Sequence, residues 1–242
     1  MDDYTIPYTD VRRGNHLPGY SAWLNFARYR EVEGIEAYRP HFERFAVVGT
    51  GTTLVTAEKE LARAAREIFD LRPRKVHPES AEHHVLLTCE EADATDTLPG
   101  SFAIHAEEKR IVVAGNDPVG VLYGVFDLIR SAGLGKSPAD AQTRQSCKVE
   151  LRLWHHWDMY KSGESLVLNT GTWAGRSIFF KDRRLVTDDM TQIRDYARLL
   201  GSVNVNALCL NNVNVPVPEM RLMTEEMLPA VAQIADVLRE YG

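Results

Sequence analysis

Two short polar clusters stand directly behind apolar runs in this chain, and their residue types raise the first chemical expectation. Trp157-Asp158 follows Leu151-Arg-Leu-Trp-His-His156, and Asn211-Asn212-Val213-Asn214 follows Val205-Asn-Ala-Leu-Cys-Leu210. A flat indole face beside a carboxylate suits a sugar ring, whose C–H face stacks on the aromatic while its hydroxyls meet polar side chains. A blander reading stands beside it: Trp154 and Trp157 as packing aromatics, and the asparagines as partners for loop backbone. Three asparagines around one valine, directly after Leu208-Cys-Leu210, are unusual for a plain turn, which makes carbohydrate binding the sharper expectation.

Other patterns carry less. Val48-Gly49-Thr50-Gly51-Thr52-Thr53-Leu54 places Gly-x-Gly between a strand and a helix, as in dinucleotide binders. Leu54 takes the place of the third glycine, and no acidic residue closes a second strand at the usual distance, so a tight turn is expected there and no cofactor. Gly135-Lys136-Ser137 imitates the end of a phosphate-binding loop, but a helix precedes it where a strand is required. His83-His84 and His155-His156 are adjacent pairs, and neighbours on a strand point to opposite faces, so neither chelates one metal ion as a unit. Glu225-Glu226 after Thr224 reads as capping and dipole compensation at the start of the last helix.

The elements that must position the two clusters form a β-α-β run. Residues 151–158 and 205–210 read as apolar strands, and Arg194-Asp-Tyr-Ala-Arg-Leu-Leu200 between them has helical spacing. Such a crossover joins parallel strands, and α/β folds gather their ligands at the carboxyl ends of parallel strands. A helix over Glu225–Tyr241 follows. Upstream, the first forty residues are aromatic and irregular. Arg44–Gly49 reads as a strand, Ala57–Leu71 as an amphipathic helix ended by Pro73, and His84–Cys89 as a strand. Phe102–His105 and Arg110–Ala114 fit a hairpin around Glu107-Glu108-Lys109, and Asn116-Asp-Pro opens a helix that Gly133 and Gly135 stop. The prediction is an α+β N-terminal domain over 1–146, with helices on one face of a mixed or antiparallel sheet. The polar, loop-like stretch Ser137–Cys147 marks the boundary to a second unit over 147–242.

With 242 residues, 44% hydrophobic and 26% charged, the chain has ordinary globular composition. A net charge of -6 argues against nucleic acid or an anionic membrane surface as partner, since both call for concentrated basic charge. Met1-Asp-Asp-Tyr is unlike a signal peptide, and no apolar run reaches the roughly 20 residues of a membrane helix. Cys89, Cys147 and Cys209 are scattered and odd in number, which fits reduced thiols in a cytoplasmic protein.

The combination of His156-Trp157-Asp158, Ala174-Gly-Arg-Ser-Ile-Phe179, Arg194 through Leu200 and Asn206 through Asn214 resembles the bacterial and fungal α-glucuronidases of glycoside hydrolase family 67. Gly120-Val-Leu-Tyr-Gly-Val-Phe126 is similar to the helix that closes that family's N-terminal domain. The resemblance implies an α+β domain followed by the start of a (β/α)8 barrel, in an enzyme that removes glucuronic or 4-O-methylglucuronic acid from xylo-oligosaccharides with inversion. It implies Trp157 lining the uronic acid pocket and Val213 pressing on the bound sugar. Asp158, Asn211, Asn212 and Asn214 complete the expected substrate wall. The loop from Lys161 to Trp173 departs from the family, which has a shorter one there.

Inverting hydrolysis needs a carboxylic acid for the leaving oxygen and a carboxylate about 6.5 to 9.5 Å away to activate water. In the family these lie on later strands, and Asp158 is the one strand-end carboxylate in this sequence. No catalytic residue is therefore assigned, and the chain alone is expected to be inactive. Strand 205–210 would expose an unpaired edge, which predicts a homo-oligomer. The alternative is a non-catalytic carbohydrate-binding or assembly module.

Overall fold

The computed structural model describes residues 23–89, 98–156, 178–181, 184–210 and 222–242. In the first part, β1 (Arg44–Val48), β2 (Arg74–Lys75), β3 (His84–Thr88), β4 (Phe102–Ala106), β5 (Arg110–Gly115) and β6 (Thr143–Gln145) form one sheet in the order β2-β1-β3-β5-β4-β6. β1 runs parallel to β2 and β3, and β3 parallel to β5, while β4 is antiparallel to both β5 and β6. The sheet is therefore mixed, and the hairpin read from the sequence supplies its antiparallel side.

Every residue of β3 is buried, as expected of a strand covered on both faces. Val85 and Leu87 enter the main core with Ile111 and Val113, and Leu86 meets Ala46, Val112 and Ala114 on the other face. The helices of the main core are the short α1 (Arg39–Phe42), α2 (Thr52–Phe69) and α3 (Pro118–Gly133).

In α2 the stripe Leu54, Ala57, Leu61, Ala64, Ala65 and Ile68 recurs at three- and four-residue spacing and is buried throughout. The helix starts at Thr52, ahead of the predicted Ala57, because burial of Leu54 outweighs the weak helix propensity of the threonines around it. It stops at Phe69 rather than at the proline. Asp70 turns left-handed (φ 58), and its N–H reaches back to the Ala65 and Arg66 carbonyls. The start of α3 follows the sequence closely: the Asp117 carboxylate accepts from Gly120 N–H at 2.6 Å, with Pro118 next in the chain. Gly124 lets α3 settle on β5, since a Cβ there would lie 2.5 Å from Val113 Cγ1.

Ser137–Cys147 is not merely a loop. Thr143–Gln145 pairs with β4 as β6, because a free strand edge recruits backbone whatever the side-chain polarity.

The second part holds β7 (Leu153–His155), β8 (Phe180–Lys181), β9 (Arg184–Leu185), α4 (Thr191–Gly201), β10 (Ala207–Cys209) and α5 (Leu228–Arg239). β7 and β10 are parallel, with Leu153 opposite Ala207 and His155 opposite Cys209, so the described residues carry the expected β-α-β crossover. β8 and β9 form a small antiparallel pair. Phe179, Ile193, Tyr196, Leu200, Ile234 and Val237 make the core beneath. The last helix begins at Leu228, later than Glu225, and no side chain caps it. The Met227 and Leu228 N–H groups bond to the Thr224 carbonyl, which leaves Glu225 and Glu226 in the preceding turn and corrects the capping role expected of them.

Helix α3 joins the two parts. Tyr123 donates its hydroxyl to the Val205 carbonyl at 3.3 Å, and Arg130 donates to the Ser202 carbonyl. Arg152 donates to the Asn204 carbonyl at 2.6 Å while its guanidinium stands 5.9 Å from the Tyr123 ring centre. Arg152 immediately precedes β7, and Ser202 to Val205 lead into β10. The first part thus packs on the amino ends of this strand pair, leaving the carboxyl ends facing away from it.

Candidate functional site at the carboxyl ends of the parallel pair

The last described residues after β7 and β10 are His156 and Leu210, and they stand together because the register aligns His155 with Cys209. The His156 N–H donates to the Cys209 carbonyl at 3.1 Å, carrying the ladder one step past β7. Trp157, Asp158, Asn211, Asn212, Val213 and Asn214 come next in the chain and lie outside the described residues, as does Ala174-Gly-Arg of the family-like motif.

Around His156 the side chains are aromatic. Its Nδ1 lies 2.9 Å from the Tyr196 hydroxyl. The ring meets Phe179 edge-on, at 5.2 Å between centres and 87° between planes, and Tyr196 at 5.2 Å. Trp23 packs on the outer side of Tyr196 at 5.6 Å. Tyr196 reaches this place because it lies on the buried stripe of α4 with Ile193, Ala197 and Leu200, and a buried phenol needs a partner for its hydroxyl. Tyr196, Phe179 and Trp23 were not among the residues expected to shape the site. The available signal was a tyrosine at helical spacing within an otherwise apolar stripe.

The other chemical candidates resolve simply. Gly49 and Gly51 both adopt positive φ (116 and 132), so the Gly-x-Gly stretch is the tight turn between β1 and α2. His84 places Nδ1 2.8 Å from the Glu82 carbonyl, while His83 packs on His41 at 4.9 Å between ring centres. Burial, followed by the neighbouring His83, pulls His41 down to about 4. Among the described residues no group of three His, Cys, Asp or Glu side chains could hold a metal ion. No disulfide joins the three cysteines, and no described helix is long and apolar enough to cross a membrane.

A second cluster of charges lies on the outer side of α4. Arg198 Nε sits 2.6 Å from Glu60 Oε2 on α2, and its guanidinium stands 4.6 Å from the centre of the Phe26 ring. The Tyr241 hydroxyl donates to Glu60 Oε1 at 3.4 Å, and burial drives that phenol far above its ordinary range. These groups bind one part of the fold to the other, at a distance from the strand tips.

Comparison with known proteins agrees with this division. The profile of the glycosyl hydrolase family 67 N-terminus matches residues 22–128, and that of the family 67 middle domain matches residues 133–242. Alpha-glucuronidase A of Emericella nidulans is 27% identical over 239 residues, covering 93% of this chain and 27% of its own length. A probable alpha-glucuronidase A of Aspergillus oryzae is 32% identical over 142 residues, covering 58% of this chain and 16% of its own. The chain thus spans about a quarter of the length of the first curated relatives it matches. In fold alone it is similar to a GH138 enzyme targeting pectin rhamnogalacturonan II, with a TM-score of 0.53 and 18% identity, covering 82% of this chain and 23% of that one. The two profiles follow one another along nearly the whole chain, one over the mixed sheet and the other over the parallel pair: the chain belongs to glycosyl hydrolase family 67.

Proposed function

We propose that this chain is the N-terminal portion of an α-glucuronidase, an α+β domain to about residue 146 followed by the first two βα units of a (β/α)8 barrel. The observation that carries the reading is the parallel, in-register β7–β10 pair, whose carboxyl ends lead directly into Trp157-Asp158 and Asn211 to Asn214. Sugar-binding residues belong at such ends in barrel enzymes. The wall formed by Trp157, Asp158, Asn211, Asn212, Val213 and Asn214 receives glucuronic or 4-O-methylglucuronic acid from xylo-oligosaccharides, in a reaction that proceeds with inversion. Names of relatives from Emericella and Aspergillus support the uronic acid side of this reading.

The chain by itself carries no acid-base pair, because Asp158 is the one carboxylate at the two strand tips and inverting hydrolysis uses two. Incubation of the purified chain with aldouronic acids, followed by chromatography of the products, tests this. No free glucuronic acid is the expected result, and measurable release would refute it. Titration of glucuronic acid into the same sample tests the binding wall.

A second reading rests on a separate observation: Leu153 and Trp154 of β7 are 52% and 51% exposed. An apolar strand edge of this kind supports a non-catalytic binding or assembly module that pairs with a second copy. A monomer in light scattering at concentrations above 100 µM, about the range of weak edge pairing, would remove that reading. The absence of disulfides and the acidic composition support a cytoplasmic location.

A further inference from the structure

We propose that Tyr196 is a positioning residue for the sugar-binding strand end, acting through His156. This deepens the binding wall proposed above and rests on it. The inference starts from how His156 is tied. Its backbone N–H is held by β10 through the Cys209 carbonyl at 3.1 Å, and its ring is held by α4 through the Tyr196 hydroxyl at 2.9 Å. Two separate elements therefore converge on the residue that immediately precedes Trp157 and Asp158.

The chemistry of the contact is directional. A phenol is the natural donor to a neutral imidazole, so Nδ1 accepts and the ring proton resides on the buried Nε2. Phe179, fully buried, closes one side of the ring edge-on, and the Tyr196 ring flanks another. Rotation of the imidazole is blocked sterically, and the hydrogen bond selects one of its two tautomers.

A leucine could fill much of this space. What the imidazole adds is a fixed tie between the helix and the tip of the strand, so that the next side chains leave the sheet from one defined backbone position. Sites held loosely by about 1 Å lose much of their binding and rate, which gives such a tie a functional consequence.

The test uses the 242-residue chain and its Tyr196→Phe, His156→Asn and His156→Leu variants. Each is titrated calorimetrically with glucuronic acid, its histidine ring nitrogens are followed by NMR, and its melting is recorded. Tyr196→Phe is expected to weaken binding roughly five- to tenfold, the loss of one directed hydrogen bond, and to let His156 sample both tautomers. His156→Asn keeps an acceptor near the Nδ1 position and should retain most of the affinity, whereas His156→Leu should lose as much as Tyr196→Phe. Lower melting temperatures with unchanged affinity would reduce Tyr196 to a core residue and overturn the proposal while leaving the sugar wall intact. No binding by the parent chain would overturn the wall itself and this proposal with it. Should His156→Leu fail to fold, Tyr196→Phe decides the matter, since it removes a single oxygen.

Discussion

Arg198 on α4 and Glu60 on α2 form a closed pair, 2.6 Å apart, with side chains 4% and 2% exposed. The pair joins the helix beneath the parallel strands to the principal helix of the mixed sheet. Two charges this deep offset their lost hydration only while both remain. Glu60→Ala is therefore expected to cost about 3 to 5 kcal/mol, by leaving the Arg198 guanidinium buried and unmatched. A Glu60→Leu, Arg198→Met double variant should recover most of that loss. Urea denaturation of the three proteins measures it, and a single variant within about 1 kcal/mol of the parent would contradict the account.

Acid should loosen the first part through His41. Its folded value is pulled from 6.5 to about 4, chiefly by burial and then by the neighbouring His83. Between those values the unfolded chain binds a proton at this ring and the folded chain does not. This ring therefore adds no penalty above about pH 6.5, and stability falls as the pH is lowered towards 4. The expected loss is on the order of 3 kcal/mol. His41→Phe should flatten that part of the pH profile, as read from melting temperatures between pH 4 and 7. An unchanged slope in the variant would assign the acid sensitivity elsewhere.

The start of α3 depends on Asp117, whose carboxylate accepts from the Gly120 N–H at 2.6 Å and from Gly100 N–H at 3.2 Å. Replacing it with alanine removes the cap and the tie to the preceding loop together. The expected cost is about 1 to 2 kcal/mol, while Asp117→Asn, which keeps an acceptor, should lose only part of it. Thermal unfolding compares them, and equal losses for both would point to charge rather than to the cap.

Close packing between α3 and β5 makes Gly124 sensitive to size. An added methyl would stand 2.5 Å from Val113 Cγ1 in a core with no room to yield. Gly124→Ala should destabilise by roughly 1 to 3 kcal/mol despite alanine's better helix propensity. Pairing it with Val113→Ala should relieve the clash, and a simple sum of the two single losses in the double variant would argue against direct contact.

Exposed side chains on β7 predict self-association. Trp154→Lys places a charge on an edge strand that is otherwise apolar, a common way of blocking edge pairing. If copies pair through β7, sedimentation should show the parent as a dimer and the variant as a monomer. A dimer unaffected by the charge would move the interface elsewhere.

The parts of the fold that could be read along the chain are those governed by short windows. The buried stripe of α2 repeats within seven residues, Asp117-Pro118 announces a helix by local hydrogen bonding, and the β4–β5 hairpin needs only its two neighbouring runs. The strands β2 and β6 escaped notice because Arg74-Lys75 and Thr143-Arg-Gln145 carry polar side chains and join the sheet through backbone alone, with partners distant in sequence. The candidate site was legible in residue type, Trp157-Asp158 and Asn211 to Asn214, while the nest of Tyr196, Phe179 and Trp23 around His156 was not. Those aromatics are scattered between positions 23 and 196, and nothing local distinguishes them from ordinary core residues.

By itself the amino-acid sequence determined the alternation of strand and helix, the apolar faces those elements must bury, and the kind of side chain waiting at the strand tips. Periodicity and capping are local, and each residue's neighbours in the chain are enough to specify them. Only the tertiary structure decided that Glu60 and Arg198, 138 residues apart, leave water together, and that Tyr196 turns its hydroxyl to His156 rather than to solvent. A charge or a phenol on an amphipathic helix looks the same in sequence whether it faces water or a partner. Which it meets depends on how separate helices and strands pack, and packing is a property of the whole chain.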